Sequence, residues 1–149
     1  MESYNQHETE PAPRPQPYQS HGEKQIASFL DWHKIPFLYE HPLAIIDRGK
    51  TRLWYPDFQL PTMGVLIEYG GRLSDPEYAQ AWQRKKQVYL ENRLSPVMFT
   101  ASDLQGNWPR ELARRIESVL AERLEDLRTR AGRLLGADDR PGTSRSSRS

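Results

Sequence analysis

Cysteine is absent from this 149-residue chain, so neither a disulfide framework nor a thiolate metal site is available. No run approaches the roughly 18 apolar residues of a membrane span, and the N-terminus lacks a signal-peptide pattern. The expectation is a soluble, cytoplasmic protein with no membrane partner. Apolar residues are scarce as well, at 36%, and the shortage is concentrated at the two ends. The first nineteen residues carry Pro11, Pro13, Pro15 and Pro17 among polar side chains, a PPII-like or disordered leader with no apolar periodicity. The closing stretch "DDRPGTSRSSRS" is equally unable to build a core. A large charge excess is also missing. Residues 1–19 hold one Arg and three acids (−2), residues 20–108 ten basic and ten acidic residues (0), and residues 109–149 ten Arg and seven acids (+3). The compact part thus has no strong field for a polyanion, and nucleic-acid affinity would have to come from local patches or the Arg-rich end.

What remains divides into a leader (1–19), a folded domain (20–120), a helical extension (121–136) and an Arg/Ser tail (137–149). "SHGEKQIASFLDWHK" predicts a first helix, with Ser20 and Glu23 at capping-box spacing, an Ile26, Phe29 and Leu30 stripe, and Pro36 as its stop. "PFLYEHPLAII" reads as an extended segment in which Pro42 demands an edge or a bulge, and "DRGK" as a turn. "RLWYPDFQL" and "GVLIEYG" read as the next two strands. "SDPEYAQAWQRKKQVYLEN" is a helix with Ser74 or Asp75 as cap, "PVMFT" a short buried strand, and the stretch from Pro109 one long helix. The order α-β-β-β-α-β-α predicts an α/β fold, a mixed sheet flanked by helices, with a long C-terminal helix. In that helix Leu120, Leu124, Leu127, Ala131 and Leu134 are spaced 4, 3, 4, 3, a narrow seam suited to a homodimer contact or to a frayed amphipathic end.

Three charged residues face inward. Strand pleating sets Tyr55, Asp57 and Gln59 on one face, opposite Trp54, Phe58 and Leu60, while Leu66, Glu68 and Gly70 share a face of the next strand. If the two faces coincide, Asp57 and Glu68 meet in one small volume. Like charges that close raise a pKa unless a cation intervenes, and Mg²⁺ favours one or two carboxylates plus water. The alternative is that each acid is solvated or pairs with Arg52 or Arg72. On the helix, Tyr78, Ala81, Trp82, Val88 and Tyr89 form an apolar face opposite Gln80, Gln83, Arg84 and Gln87. Lys85 lies near the centre of that face and Lys86 at its edge. A buried ammonium needs an acid partner or must snorkel out. Glu23 serves either as a cap or as a further acid of the same pocket. Two inward acids, an inward Lys and a nearby Glu are what metal-assisted phosphodiester hydrolysis needs.

With Pro56-Asp57 as a literal "PD" and Glu68 in "VLIEYGG", the chain resembles the PD-(D/E)xK nuclease superfamily over roughly residues 20–116. The resemblance implies the restriction-endonuclease-like αβββαβ core. Where that motif has its Lys, two residues after the acid, this chain has Gly70. It looks like the branch in which an acid, an aromatic and a Gly are followed by a "Y…K…Y" helix, here Tyr78, Lys85 and Tyr89, whose Lys takes over. The resemblance implies a Mg²⁺-dependent endonuclease acting on DNA, with Mn²⁺ able to substitute. Asp57 and Glu68 would be metal ligands with the Tyr69 carbonyl as a third, Lys85 would orient the attacking water, and Glu23 would be an accessory ligand or base. The competing reading is a catalytically inactive module of the same fold that binds nucleic acid or assembles with a partner. A further reading makes the Arg-rich tail a nucleic-acid tether. His21, His33 and His41 lack ligand spacing and read as surface or capping residues, and Trp32, Trp54, Trp82 and Trp108 as core or hinge packing.

Overall fold

A computed structural model describes residues 18–139, with side chains as far as residue 136. The Pro-rich leader up to Pro17 and the tail from Arg140 lie outside the described residues. The order is α1 (His21–Trp32), β1 (Leu38–Tyr39), β2 (Leu43–Asp47), β3 (Lys50–Trp54), β4 (Phe58–Leu60), β5 (Val65–Gly70), α2 (Pro76–Glu91), β6 (Ser95–Thr100), a 3₁₀ turn (Ala101–Asp103) and α3 (Trp108–Asp139). The class is α/β, as expected. One mixed sheet runs β1-β4-β5-β6, antiparallel through β5 and parallel between β5 and β6, and α2 makes the crossover that a parallel pair requires.

The segment expected as one strand, "RLWYPDFQL", is broken. Pro56 has no N–H to donate and pushes the preceding residue out of register, so β3 ends at Trp54 and β4 begins at Phe58. β3 instead pairs with β2 in a separate hairpin whose turn residues Arg48 and Gly49 both have positive φ, the conformation that a tight two-residue hairpin turn demands. The extended segment around Pro42 is likewise split, with Pro42 in the connection between β1 and β2. The hairpin is fastened to α2. The Asn92 side chain accepts from the Ile46 amide (2.8 Å) and donates to the Ile46 carbonyl (2.9 Å), filling the place of a neighbouring strand. Arg84 reaches Asp47 at 2.6 Å. Arg84 therefore leaves the solvent face expected for it, because the hairpin comes down on that side of α2. Ala81, expected on the apolar face, is exposed, and Trp82, Val88 and Tyr89 alone are buried there.

Each face of the sheet carries its own core. Ile26, Phe29 and Leu30 of α1 and Leu112 and Ile116 of α3 pack with Phe58, Leu60, Val65, Ile67, Val97 and Phe99. On the other face Leu66 meets Ile45, Val88 and Tyr89. Ser20 caps α1 by accepting from the Glu23 amide at 3.1 Å. His33 is its C-cap, as expected, and Lys34 turns the chain away with a φ of 55°. Trp82 is buried and Trp54 and Trp108 are half-buried, but Trp32, expected to pack, is 83% exposed. It sits in the last turn of α1, beyond the part covered by the sheet. Leu120 packs on the core, whereas Leu124, Leu127 and Leu134 of the expected seam are each more than half exposed. Among the described residues no helix is long and apolar enough to cross a membrane.

Candidate functional site

The register of the sheet gathers the acids. Leu38 pairs with Gln59 and Tyr39 with Phe58, so the next step brings Glu40 across from Asp57. Phe58 pairs with Ile67 and Gln59 with Leu66, so the same step brings Asp57 across from Glu68. Glu40, Asp57 and Glu68 thus form a row over three adjacent strands, at the point where β1 and β4 stop pairing. Two backbone bonds hold the row. The Glu40 amide donates to the Asp57 carbonyl (3.1 Å), and the Tyr69 amide donates to Asp57 Oδ2 (2.7 Å).

Glu23 enters from the other side. Gly22 of α1 lies against the Tyr69 ring so closely that an added Cβ would fall 2.2 Å from Tyr69 Cζ. This contact presses the start of α1 onto the end of β5. Glu23 is 8% exposed, accepting at Oε1 from the Tyr39 hydroxyl (2.5 Å) and at Oε2 from the Ser20 hydroxyl (3.0 Å). Both readings of Glu23 hold in the geometry. Its amide is capped by Ser20, while its carboxylate is held by the Ser20 and Tyr39 hydroxyls beside the other acids. One oxygen each of Glu23, Glu40 and Asp57 lies within 4.8 Å of the other two.

Glu68 is 2% exposed and held on both oxygens, at Oε2 by the Tyr89 hydroxyl (2.5 Å) and at Oε1 by Lys85 Nζ (3.5 Å). Of the two candidate lysines, Lys85 points into the site and Lys86 is exposed. Gly70 explains why the ammonium comes from the helix. A Cβ at position 70 would lie 2.8 Å from Trp82 Cε2, so the indole occupies the space a side chain there would need. One turn further along α2, Lys85 supplies the cation.

The electrostatics follow from this crowding. Burial first, and then the Glu68 charge, push the Asp57 carboxyl up to about 8, against a smaller downward pull from the Tyr69 amide. Burial, the Glu68 charge and the bond to Glu68 hold the Tyr89 hydroxyl well above the phenol range, so it stays a donor. The donor set around Asp57 is all carboxylate oxygen, which suits a hard cation such as Mg²⁺ and not a soft one.

Asp57, Glu68, Lys85, Glu23 and Tyr69, all singled out in the sequence, therefore converge, with Tyr69 contributing its amide to Asp57 and its ring to α1. Glu40 was missed. It has a φ of 49° and lies just past β1, where strand alternation gives no phase; its only sequence signal is an acid two residues before Pro42 in "YEHP". His21, His33 and His41 are exposed and none joins the acid group. The chain matches no protein-family model, no curated protein and no solved structure.

Proposed function

We propose that this protein is a Mg²⁺-dependent nuclease of the PD-(D/E)xK superfamily, hydrolysing DNA phosphodiester bonds, with structure-directed or low sequence specificity. The observation that carries the reading is the meeting of acids from α1, the end of β1, the start of β4 and β5 with one ammonium from α2. With the β2–β3 hairpin set aside as an insertion, the order is helix, three antiparallel strands, helix and a parallel strand. That order supports the restriction-endonuclease-like core.

Asp57, Glu40 and Glu23 would hold the ion, with Glu68 and the Tyr69 carbonyl on its border. When bound, Mg²⁺ (or Mn²⁺) supplies the Lewis-acid chemistry that phosphodiester hydrolysis needs at neutral pH. The residues of the chain do the rest. Lys85 keeps one of its three donors on Glu68 and turns another toward the attacking water or the developing negative charge. Tyr89 fixes the Glu68 carboxylate, and Glu68 thereby fixes Lys85. Tyr39 holds Glu23 in the pocket, where its carboxylate can accept a proton from water.

The test is cleavage of plasmid, linear, single-stranded and branched DNA with Mg²⁺ or Mn²⁺, beside EDTA and the Asp57→Ala and Lys85→Ala variants. Metal-dependent cleavage lost in both folded variants is the expected result. Inertness of the parent toward every substrate would refute it.

One observation favours a second reading, a catalytically inactive binding or assembly module. Both oxygens of Glu68 already have partners, so Lys85, Glu68 and Tyr89 also suffice as a buried structural network. Calorimetry separates the two. A nuclease site binds Mg²⁺ and loses it in Asp57→Ala, whereas the inactive module shows no metal-dependent heat in either.

A further inference from the structure

Helix α3 outlasts the domain it packs on. Its first half turns Leu112, Ile116 and Leu120 to the sheet, where they join the core. Its second half carries Leu124, Leu127, Ala131 and Leu134, all exposed. At about 100° per residue both sets fall within one arc of roughly 120°, so a single apolar face runs from the core out past the edge of the sheet. The domain reaches as far as Arg123, whose guanidinium donates to the Arg93 carbonyl and to Ser95 Oγ, both at 3.4 Å. Beyond it the face is bare, and a continuous apolar face on a soluble helix needs a cover.

We propose that the cover is the same face of a second copy, with the two α3 helices crossing antiparallel about a two-fold axis level with Thr129. A two-fold pair uses one patch on both partners, so the patch must match its own inversion. This stripe does. About that axis Leu124 lies level with Leu134 of the second copy, and Leu127 with Ala131, so each small Ala131 receives a leucine.

The direction follows from the domain. Residues 112–120 turn this same face to their own sheet, so a parallel pair would force two domains into the space between the helices. In the antiparallel pair each domain stands at the far end of the other's helix. The overlap from 124 to 134, roughly 16 Å long, then holds only the bare part of the face.

Charge agrees with the direction. Asp126, Arg130 and Arg133 lie along one flank of the stripe, with Arg130 bonded to Asp126 at 2.7 Å, and Glu125 and Arg128 lie along the other. An antiparallel pair sets the first flank against its own inversion. Asp126 then falls opposite Arg133 of the second copy, and only Arg128 and Arg130, near the axis, meet their counterparts. A parallel pair sets one flank against the other, so that Asp126 falls beside Glu125 and Arg130 beside Arg128. Flanking charges of this kind select orientation.

Disulfide exchange on the full chain tests the proposal. The chain has no cysteine, so Leu127→Cys and Ala131→Cys each place one thiol at an exposed position outside both cores. The two variants are mixed in equal amounts in a glutathione buffer and the dimers are sorted by intact mass. The expected result is a mixed Leu127→Cys/Ala131→Cys dimer several-fold above its statistical proportion, falling to that proportion when Leu124→Glu is added to both variants. Homodimers in excess would mean that the stripes run parallel, and would overturn the proposal. So would a statistical mixture, an absence of dimers, or an excess that survives Leu124→Glu, since each shows that a second copy does not cover this face in this way.

Discussion

Asp57→Asn in the metal-free protein gives the sharpest test of the acid cluster. The Asp57 carboxyl titrates at 3.8 in an ordinary environment and is pushed up to about 8 in the fold. The folded state therefore keeps a proton that the unfolded chain has released, and stability contributed by Asp57 falls as pH rises from about 4 through 8. Each pH unit inside that window costs up to about 1.4 kcal/mol, or roughly 4 kcal/mol between pH 5 and pH 8. Asp57 is half-buried, and solvent screening reduces the loss to about 2 kcal/mol. Asp47, Asp103 and Glu111 shift the other way, toward lower pH, so they complete their titration below pH 5 and leave the window clear. Urea unfolding in EDTA at pH 5, 6, 7 and 8 should thus show the parent losing about 2 kcal/mol more than the Asn variant, which an order-of-magnitude scaling puts at several degrees in Tm. Parallel curves would refute the crowding argument. On the proposed function Mg²⁺ or Mn²⁺ would displace the same proton, so binding at pH 7 should release about one proton per ion, measured calorimetrically in buffers of different ionisation enthalpy. The variant should release none.

Tyr89→Phe removes the hydroxyl that bonds Glu68 at 2.5 Å inside the fold, and urea unfolding should show a loss of about 2 kcal/mol. Equal stability would mean that Lys85 alone satisfies Glu68. Gly70→Ala forces a Cβ to within 2.8 Å of the Trp82 indole, and thermal melts should show a loss of about 1–3 kcal/mol, with a near-ultraviolet circular dichroism change from the displaced ring. The exposed seam of Leu124, Leu127 and Leu134 predicts weak homodimerisation. Because Arg128 and Arg130 border the stripe, sedimentation should show association strengthened by salt and abolished by Leu124→Glu.

How much of this was legible depended on whether a residue stood inside a regular period. Asp57 and Glu68 were placed on one side of the sheet by alternation, and Lys85 on the inner face of α2 by the helical repeat; the structure sets all three together. The β3–β4 break was not legible as a break, because alternation carries straight through "RLWYPDFQL" and only Pro56 interrupts the hydrogen bonding. Arg84 reads as a solvent residue until the hairpin, a long-range neighbour, brings Asp47 to it at 2.6 Å. Trp32 has the right phase for α1 but lies past the edge of what it packs on, and phase says nothing of where a covering layer ends.

Glu40 shows why a site can be more complete than its motif. Of the three acids of the row only Glu68 lies inside a strand; Glu40 and Asp57 sit one residue beyond β1 and β4, past the end of the regular pleat. Freed from pleating, Glu40 takes a left-handed φ of 49°, a conformation that costs a non-glycine residue of order 1 kcal/mol. The Asp57 carbonyl accepts the Glu40 amide and so ties this residue to the first acid of the motif. The same logic accounts for Gly70. With Trp82 seated on the backbone there, the cation has to arrive on a flexible side chain from one turn further along α2. Lys85→Ala combined with Gly70→Lys therefore separates geometry from composition. The variant keeps the charge and restores the literal motif, but the new side chain meets the indole. Cleavage should remain lost in it, and should return when Trp82→Ala opens the space; recovery without that third change would show that Trp82 does not fill the position.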